Sequence, residues 1–209
     1  LNSGRPIKSF VVSSAIPGDG KSTVAFHLAQ TAAAMGKKVL LVDCDLRKSD
    51  IHKLAQLNNL WGLSSLISSD MSVGQVIQEI PQLASLSVIT VGPIPPDPTR
   101  LLSSDKMGQM MDYFSENFDL VIYDSPPLSA LVDARLVAVH ADGVILVAMI
   151  DKTDKTVLKH VLETFKTSPV NLLGLVVNGE KFRGMAYNYN YTSKSSVVRA
   201  NIPKNEEVN

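Results

Sequence analysis

Ser9-Phe10-Val11-Val12-Ser13-Ser14-Ala15-Ile16-Pro17-Gly18-Asp19-Gly20-Lys21-Ser22-Thr23 is the stretch that decides the fold. Residues 9–13 form a short apolar run that reads as a buried strand. A Gly/Pro turn follows, then an amphipathic stretch from about Ser22 to Met35 that Gly36 stops. Gly18 and Gly20 let the backbone between strand and helix curl so that its amides face one point. The helix beginning near Lys21 aims the positive end of its dipole at the same point. Strand, curled turn and helix together suit a phosphate group.

The turn follows the P-loop pattern, with Ala15 where the first glycine is usual. Gly18, Asp19, Gly20, Lys21, Ser22 and Thr23 are therefore the expected nucleotide-binding residues. Lys21 would reach the β- and γ-phosphates of ATP and the Ser22 hydroxyl would bind Mg²⁺, with Thr23 a weaker second contact.

Outward from this stretch, apolar runs alternate with amphipathic ones. Val39–Val42, Leu86–Val91, Leu120–Tyr123, Gly143–Met149 and Leu172–Val177 read as strands. Ser104–Asn117 and Lys155–Phe165 read as helices, and a Pro-rich loop spans Gly92–Pro98. Met107, Met110, Met111 and Phe114 share one helical face, which marks core packing. Near-continuous apolar strands separated by helices predict a mostly parallel, doubly wound sheet in a three-layer α/β/α P-loop NTPase fold. Ligands in such sheets bind beyond the carboxyl ends of the strands.

The acidic residues fall at those ends. Val39–Val42 runs into Asp43-Cys44-Asp45-Leu46-Arg47, and Leu120–Tyr123 into Asp124-Ser125-Pro126-Pro127. Asp43 and Asp45 face the same way if the chain stays extended. Asp124 ends a Walker B strand, whose carboxylate supports Mg²⁺. Three acids around one phosphate cradle repel without a cation, so the motifs are coupled. A tyrosine hydroxyl is a poor nucleophile until a carboxylate takes its proton. Asp43 is the first candidate for that task and Asp45 the second. Arg47 is either a contact to phosphate or acceptor, or a surface charge. Asp133 either supports the metal site or caps the helix around Leu136.

The bulk composition fits one good-sized domain. The 209 residues are 45% hydrophobic, and twenty basic side chains balance twenty acidic ones. Neutrality favours neither nucleic acid nor an anionic membrane as partner. The single cysteine, Cys44, has no partner for an internal disulfide and sits between two acids, so it reads as an inert thiol in a reducing compartment. His27, His52, His140 and His160 form no ligand-spaced cluster and read as structural or surface residues. No apolar run reaches the ~18 residues of a membrane helix. The chain starts with Leu1, which fits a piece of a longer protein.

Val11-Val12-Ser13-Ser14, Pro17-Gly18-Asp19-Gly20-Lys21-Ser22, Val42-Asp43-Cys44-Asp45-Leu46-Arg47 and Ile122-Tyr123-Asp124-Ser125-Pro126-Pro127 together resemble the bacterial tyrosine kinases of capsule and exopolysaccharide synthesis. The motifs are similar to that family's Walker A, second acidic (A′) and Walker B sequences, and the resemblance runs from about Lys8 to the tyrosine run. It implies Lys21, Asp43, Asp45 and Asp124 as catalytic group, and Ser22, Asp45 and Asp124 as metal ligands. It also implies that Tyr187, Tyr189 and Tyr191 are autophosphorylated by a neighbouring subunit of a homo-oligomer. A membrane-anchored activator, fused or separate, and a cognate tyrosine phosphatase are further implied partners, with the domain held at the cytoplasmic face of the membrane. Asn178 matches the asparagine that contacts adenine in related ATPases; its other reading is a strand-end turn residue. The sequence departs from the family at Arg100, where a glutamate is usual; the Glu-x-x-Arg-x-x-Arg helix that normally precedes the first strand is not among these residues, so either the sequence begins after it or the protein assembles differently.

Residues 179–209 are polar and carry the Tyr187-Asn188-Tyr189-Asn190-Tyr191 run, so a kinase domain over 1–178 and a flexible tyrosine-rich tail over 179–209 are expected. The rival function is a partitioning or positioning ATPase switch. That class carries an extra lysine early in the loop, where this chain has Ile16.

Overall fold

The computed structural model describes residues 6–81, 83–128 and 132–179, so the expected acceptors Tyr187, Tyr189 and Tyr191 lie outside the described residues. In chain order the elements are β1 (Ser9–Ser14), α1 (Lys21–Ala34), β2 (Val39–Asp43), α2 (Ile51–Leu54), α3 (Leu63–Ser68), α4 (Val73–Val76), β3 (Ile77–Ile80) and β4 (Leu83–Ile89). There follow α5 (Pro98–Leu102), α6 (Asp105–Asn117), β5 (Leu120–Asp124), α7 (Asp133–Ala138), β6 (Val144–Met149), α8 (Lys155–Lys166) and β7 (Leu172–Asn178).

The strands form one sheet of order β3-β4-β2-β5-β1-β6-β7. All pairings are parallel except β3 with β4. The doubly wound α/β architecture is as expected, with β3 as an addition. Its four residues, Ile77-Gln78-Glu79-Ile80, carry too short and too polar a pattern to announce a strand. The short helices α2, α3 and α4 are missing from the sequence reading for the same reason.

Two apolar layers sandwich the sheet. On one face α1 lays Ala25, Phe26, Ala29 and Ala33 against Val12, Leu41 and Ile122. Its alanines let the helix lie close to the strands. On the other face α6 buries Met107, Met111 and Phe114 beside Leu40, Val121 and Tyr123. This is the methionine stripe read from the sequence, with Met110 packed at its margin. Ser104 caps α6, its hydroxyl accepting from the Met107 amide at 3.3 Å.

Register sets the site. Val12 pairs with Asp124, and Asp43 pairs with Asp124, so β2 and β5 end at one level while β1, between β5 and β6, runs on to Ser14. The backbone continues this lattice past the strands: the Cys44 amide donates to the Asp124 carbonyl at 2.7 Å, and the Ser125 amide to the Val12 carbonyl at 3.0 Å. Two acidic turns and the glycine turn therefore open on the same side of the sheet.

Candidate nucleotide-binding and catalytic site

The turn after β1 is curled as its glycines allow. Gly18 has φ 80° and Gly20 φ 93°, backbone that side chains rarely tolerate, and Gly20 is also the N-cap of α1. A Cβ on Gly20 would strike the amide of Asn178, and one on Gly18 the ammonium of Lys152. Asn178 Nδ2 donates to the Asp19 carbonyl at 3.1 Å, and Lys152 Nζ to the Pro17 carbonyl at 3.0 Å. The buried Asp19 carboxylate turns inward and accepts from the Ile16 amide at 3.2 Å. Its backbone, not its side chain, is left to meet a phosphate.

The loop forms one wall of a cleft of about 690 Å³. Gly18, Gly20, Lys21, Ser22 and Thr23 border it, as does Asn178 at one end beside Met149. Asp45 and Arg47 border it from the β2 side. This size suits a ligand of nucleotide dimensions. Asn178 thus borders the cleft and also braces the loop.

The acids collect around one cation. Lys21 Nζ lies 2.9 Å from Asp45 Oδ2 and 3.7 Å from Asp124 Oδ1, and it donates to Ser22 Oγ at 3.0 Å. Burial works against the Lys21 charge, but Asp124 and Asp45 outweigh it and raise its pKa. Asp43 is fully buried; burial first and then Asp124 push its carboxyl up to about 8. Burial likewise lifts Asp124 to about 6, with Lys21 opposing. Asp45 lies past the end of β2, and its amide folds back to donate to Asp43 Oδ1 at 3.1 Å. The Cys44 thiol between them is buried and pushed upward by that burial, in line with an inert group.

This donor set fits magnesium under one condition. Neither oxygen of the buried Asp124 has a close hydrogen-bond partner among the described residues, Lys21 Nζ standing 3.7 Å from Oδ1, which leaves room for a cation or its water shell. Among the described residues no three acidic, histidine or cysteine side chains group closely enough to hold a metal by themselves. Magnesium characteristically takes one or two carboxylates and completes its shell with phosphate oxygens and water. Asp124, Asp45 and the Ser22 hydroxyl match that habit once a nucleotide is present.

Asp133 departs from both readings of it. It makes no cap contact in α7 and lies away from the cleft wall. Its buried carboxylate instead accepts from Arg47 Nε and from Thr99 Oγ1, each at 2.7 Å. Arg47 also donates to Thr99 Oγ1 at 3.1 Å. The guanidinium thereby ties the acidic turn after β2 to α5 and α7, while still bordering the cleft. Asp133 lies 86 positions from Arg47, and no local pattern announces such a pair. Lys152 was equally silent in the sequence, because nothing in its helix-leading loop marks it as a loop brace.

Comparison with known proteins agrees with this geometry. Residues 10–209 match the CobQ/CobB/MinD/ParA nucleotide-binding domain family. The tyrosine-protein kinase YwqD of Bacillus subtilis is 40% identical over 196 residues, covering 93% of this chain and 82% of the relative. The crystal structure of the chimerical protein CapA2B2 superposes with TM-score 0.81 at 35% identity, over 84% of this chain and 77% of that one. The kinase domain of the Escherichia coli tyrosine kinase Etk gives TM-score 0.80 at 32% identity, over 88% and 72%. The chain spans only 25% of full-length Etk. No described helix is long and apolar enough to cross a membrane. A nucleotide-binding domain with this acid cluster and these relatives belongs to the bacterial tyrosine-protein kinase family.

Proposed function

We propose that this domain transfers the γ-phosphoryl group of ATP to protein tyrosine, in the first place to Tyr187, Tyr189 and Tyr191 of a neighbouring copy. The observation that carries the reading is the ion pair of Lys21 with Asp45 at 2.9 Å, with Asp124 beside it. A P-loop lysine held by acids in a nucleotide-sized cleft has two tasks ready: to bind phosphate, and to release carboxylates when it does so.

ATP would lie with its phosphates on the amides of Gly18–Thr23 and its base toward Asn178 and Met149. Ser22, Asp45 and Asp124 would hold Mg²⁺, which neutralises charge on the β- and γ-phosphates. The tyrosine oxygen forms a bond to the γ-phosphorus while the bond from that phosphorus to the β–γ bridging oxygen breaks. ADP leaves with the electron pair. The phenolic proton passes to a carboxylate, Asp43 in our assignment once bound magnesium has displaced its proton, with Asp45 as the alternative.

The partitioning or positioning ATPase is the second reading, since the matched family description includes MinD and ParA. Ile16 disfavours it, because an apolar side chain stands where that class carries a lysine. Tyrosines after residue 179, and relatives named as kinases, favour transfer to protein. A role in capsule or exopolysaccharide production, a membrane-anchored activator at the cytoplasmic face, and an opposing phosphatase follow as parts of the same proposal.

The purified chain, incubated with labelled ATP and Mg²⁺ and analysed by mass spectrometry, tests it. Phosphotyrosine at 187, 189 and 191, absent in Lys21→Met, is expected. Rapid release of inorganic phosphate with no labelled protein would favour the ATPase. Normal phosphotyrosine content in a triple Tyr→Phe variant would exclude the tail as the principal acceptor.

A further inference from the structure

Asp43 is held from outside the cleft by groups that the phosphate-binding motifs do not include. Ser49 Oγ donates to Asp43 Oδ2 at 2.7 Å, and the Ile51 amide approaches the same oxygen at 3.4 Å. Behind the serine, His52 Nδ1 lies 2.9 Å from Ser49 Oγ. Ser49 has one hydroxyl proton and spends it on the carboxylate. With Asp43 ionised, the imidazole then donates from Nδ1, which sets its tautomer. The chain of donors runs His52 to Ser49 to Asp43, from the start of α2 to the end of β2.

We infer that Ser49, backed by His52, is a positioning residue that sets the Asp43 carboxylate for proton transfer from the acceptor. The inference rests on the kinase reading above and on Asp43 as the proton acceptor.

The local geometry explains why such an anchor is needed. Asp43 and Asp124 end neighbouring strands in direct register, so their carboxylates repel across a short gap. An unanchored Asp43 would compete with Asp45 and Asp124 for Lys21 or for magnesium. The serine pulls Oδ2 toward α2, and the Asp45 amide takes Oδ1 at 3.1 Å. A carboxylate offers about four lone-pair sites. The three donors named here leave one unfilled. The acids are thereby sorted: Asp45 closest to the lysine at 2.9 Å, Asp124 farther from it at 3.7 Å, Asp43 turned aside and oriented. His52, read from sequence as a plain surface or structural residue, takes part only through the serine.

The test uses Ser49→Ala, Ser49→Thr, His52→Asn and His52→Gln in the full chain. Asparagine keeps a donor near the Nδ1 position, whereas glutamine places its donor farther out. Ser49→Ala should lower kcat for tyrosine phosphorylation by about 10–100-fold, as loss of a group orienting a reacting residue does. KM for ATP should stay within about twofold, because the phosphate contacts are untouched. Ser49→Thr and His52→Asn should recover most of the rate; His52→Gln should not. Nitrogen-15 NMR of the His52 ring gives a second readout independent of activity. The Nδ1–H tautomer is expected in the wild type and should be lost in Ser49→Ala and Asp43→Asn. Unchanged kcat in Ser49→Ala, or equal losses in alanine and threonine variants, would overturn the inference. If the wild type transferred no phosphate to tyrosine yet kept the Asp43-dependent tautomer, the kinase reading would fail while the anchor stood.

Discussion

Lys21 Nζ sits 2.9 Å from Asp45 Oδ2, so the lysine of the glycine turn is paired with an acid from the turn after β2. Lys21→Met removes the cation and leaves Asp43, Asp45 and Asp124 buried without their counter-charge. Phosphotyrosine formation should fall by about 10²–10³-fold, the loss seen when one preorganised charge-stabilising donor is removed. The variant should also be less stable near neutral pH, since breaking a buried pair strands a charge. Calorimetry should find much of that deficit recovered at pH 5.5, where the raised acids hold protons. A Lys21→Met protein that kept full activity would refute the assignment.

The nucleotide-free domain should lose stability as pH rises through the neutral range. The folded state holds the Asp43 proton up to about pH 8, and that of Asp124 to about 6. The unfolded chain releases both near pH ~4. Between those values the unfolded state binds fewer protons, so stability falls with rising pH. Lys21, raised above its ordinary value, contributes evenly across this window, and the lowered Asp154 acts only at its acid end. The melting temperature at pH 5.5 should exceed that at pH 8 and should be flatter with pH in Asp43→Asn. Magnesium and ATP together should offset the loss at high pH, because the cation replaces the protons.

The mostly parallel, doubly wound sheet and the acidic turns at its strand ends were readable because long apolar strands announce themselves. The glycine turn, Lys21 and Asp124 were readable because the motif fixes them by spacing. The partners of Arg47 were not. Asp133 and Thr99 reach it across 86 and 52 positions, a relation that only folding creates. Ser49 was invisible because a serine six residues past an aspartate has no periodic meaning until the chain turns back. Asp45 illustrates the middle case. Its spacing from Asp43 suggested a shared face on an extended chain, but the strand ends at Asp43 and a backbone hydrogen bond brings Asp45 round.

Tyr123 precedes the Walker B aspartate and buries its whole side chain in the core layer that also holds Leu40, Cys44 and Phe114, where its hydroxyl has no hydrogen-bond partner among the described residues. An unmade buried hydrogen bond costs about 1–3 kcal/mol. Tyr123→Phe keeps the ring and removes that cost. The variant should match or exceed wild-type stability, by up to about 1 kcal/mol, in urea denaturation with an unchanged m-value. Nucleotide affinity should not change, because the ring faces the core layer rather than the cleft. A loss of more than 1 kcal/mol would mean that a buried water or polar group satisfies the hydroxyl.

Gly20 combines two demands that no other residue meets. Its φ of 93° costs a side chain roughly 1–3 kcal/mol, and a Cβ there runs into the Asn178 amide that holds the loop at Asp19. Gly20→Ala must therefore either flatten the turn or expel Asn178. Each response turns the loop amides away from the point where α1 aims its dipole. Nucleotide binding, measured by calorimetric titration, should weaken by at least tenfold, the equivalent of about 1.4 kcal/mol. Removing the collision separates the two causes. Measured against Asn178→Ala alone, Gly20→Ala with Asn178→Ala should remain weaker if the backbone angle dominates, and should nearly match it if the collision does. The demand for a positive φ remains in both Gly20→Ala variants, so the double variant is expected to remain weaker.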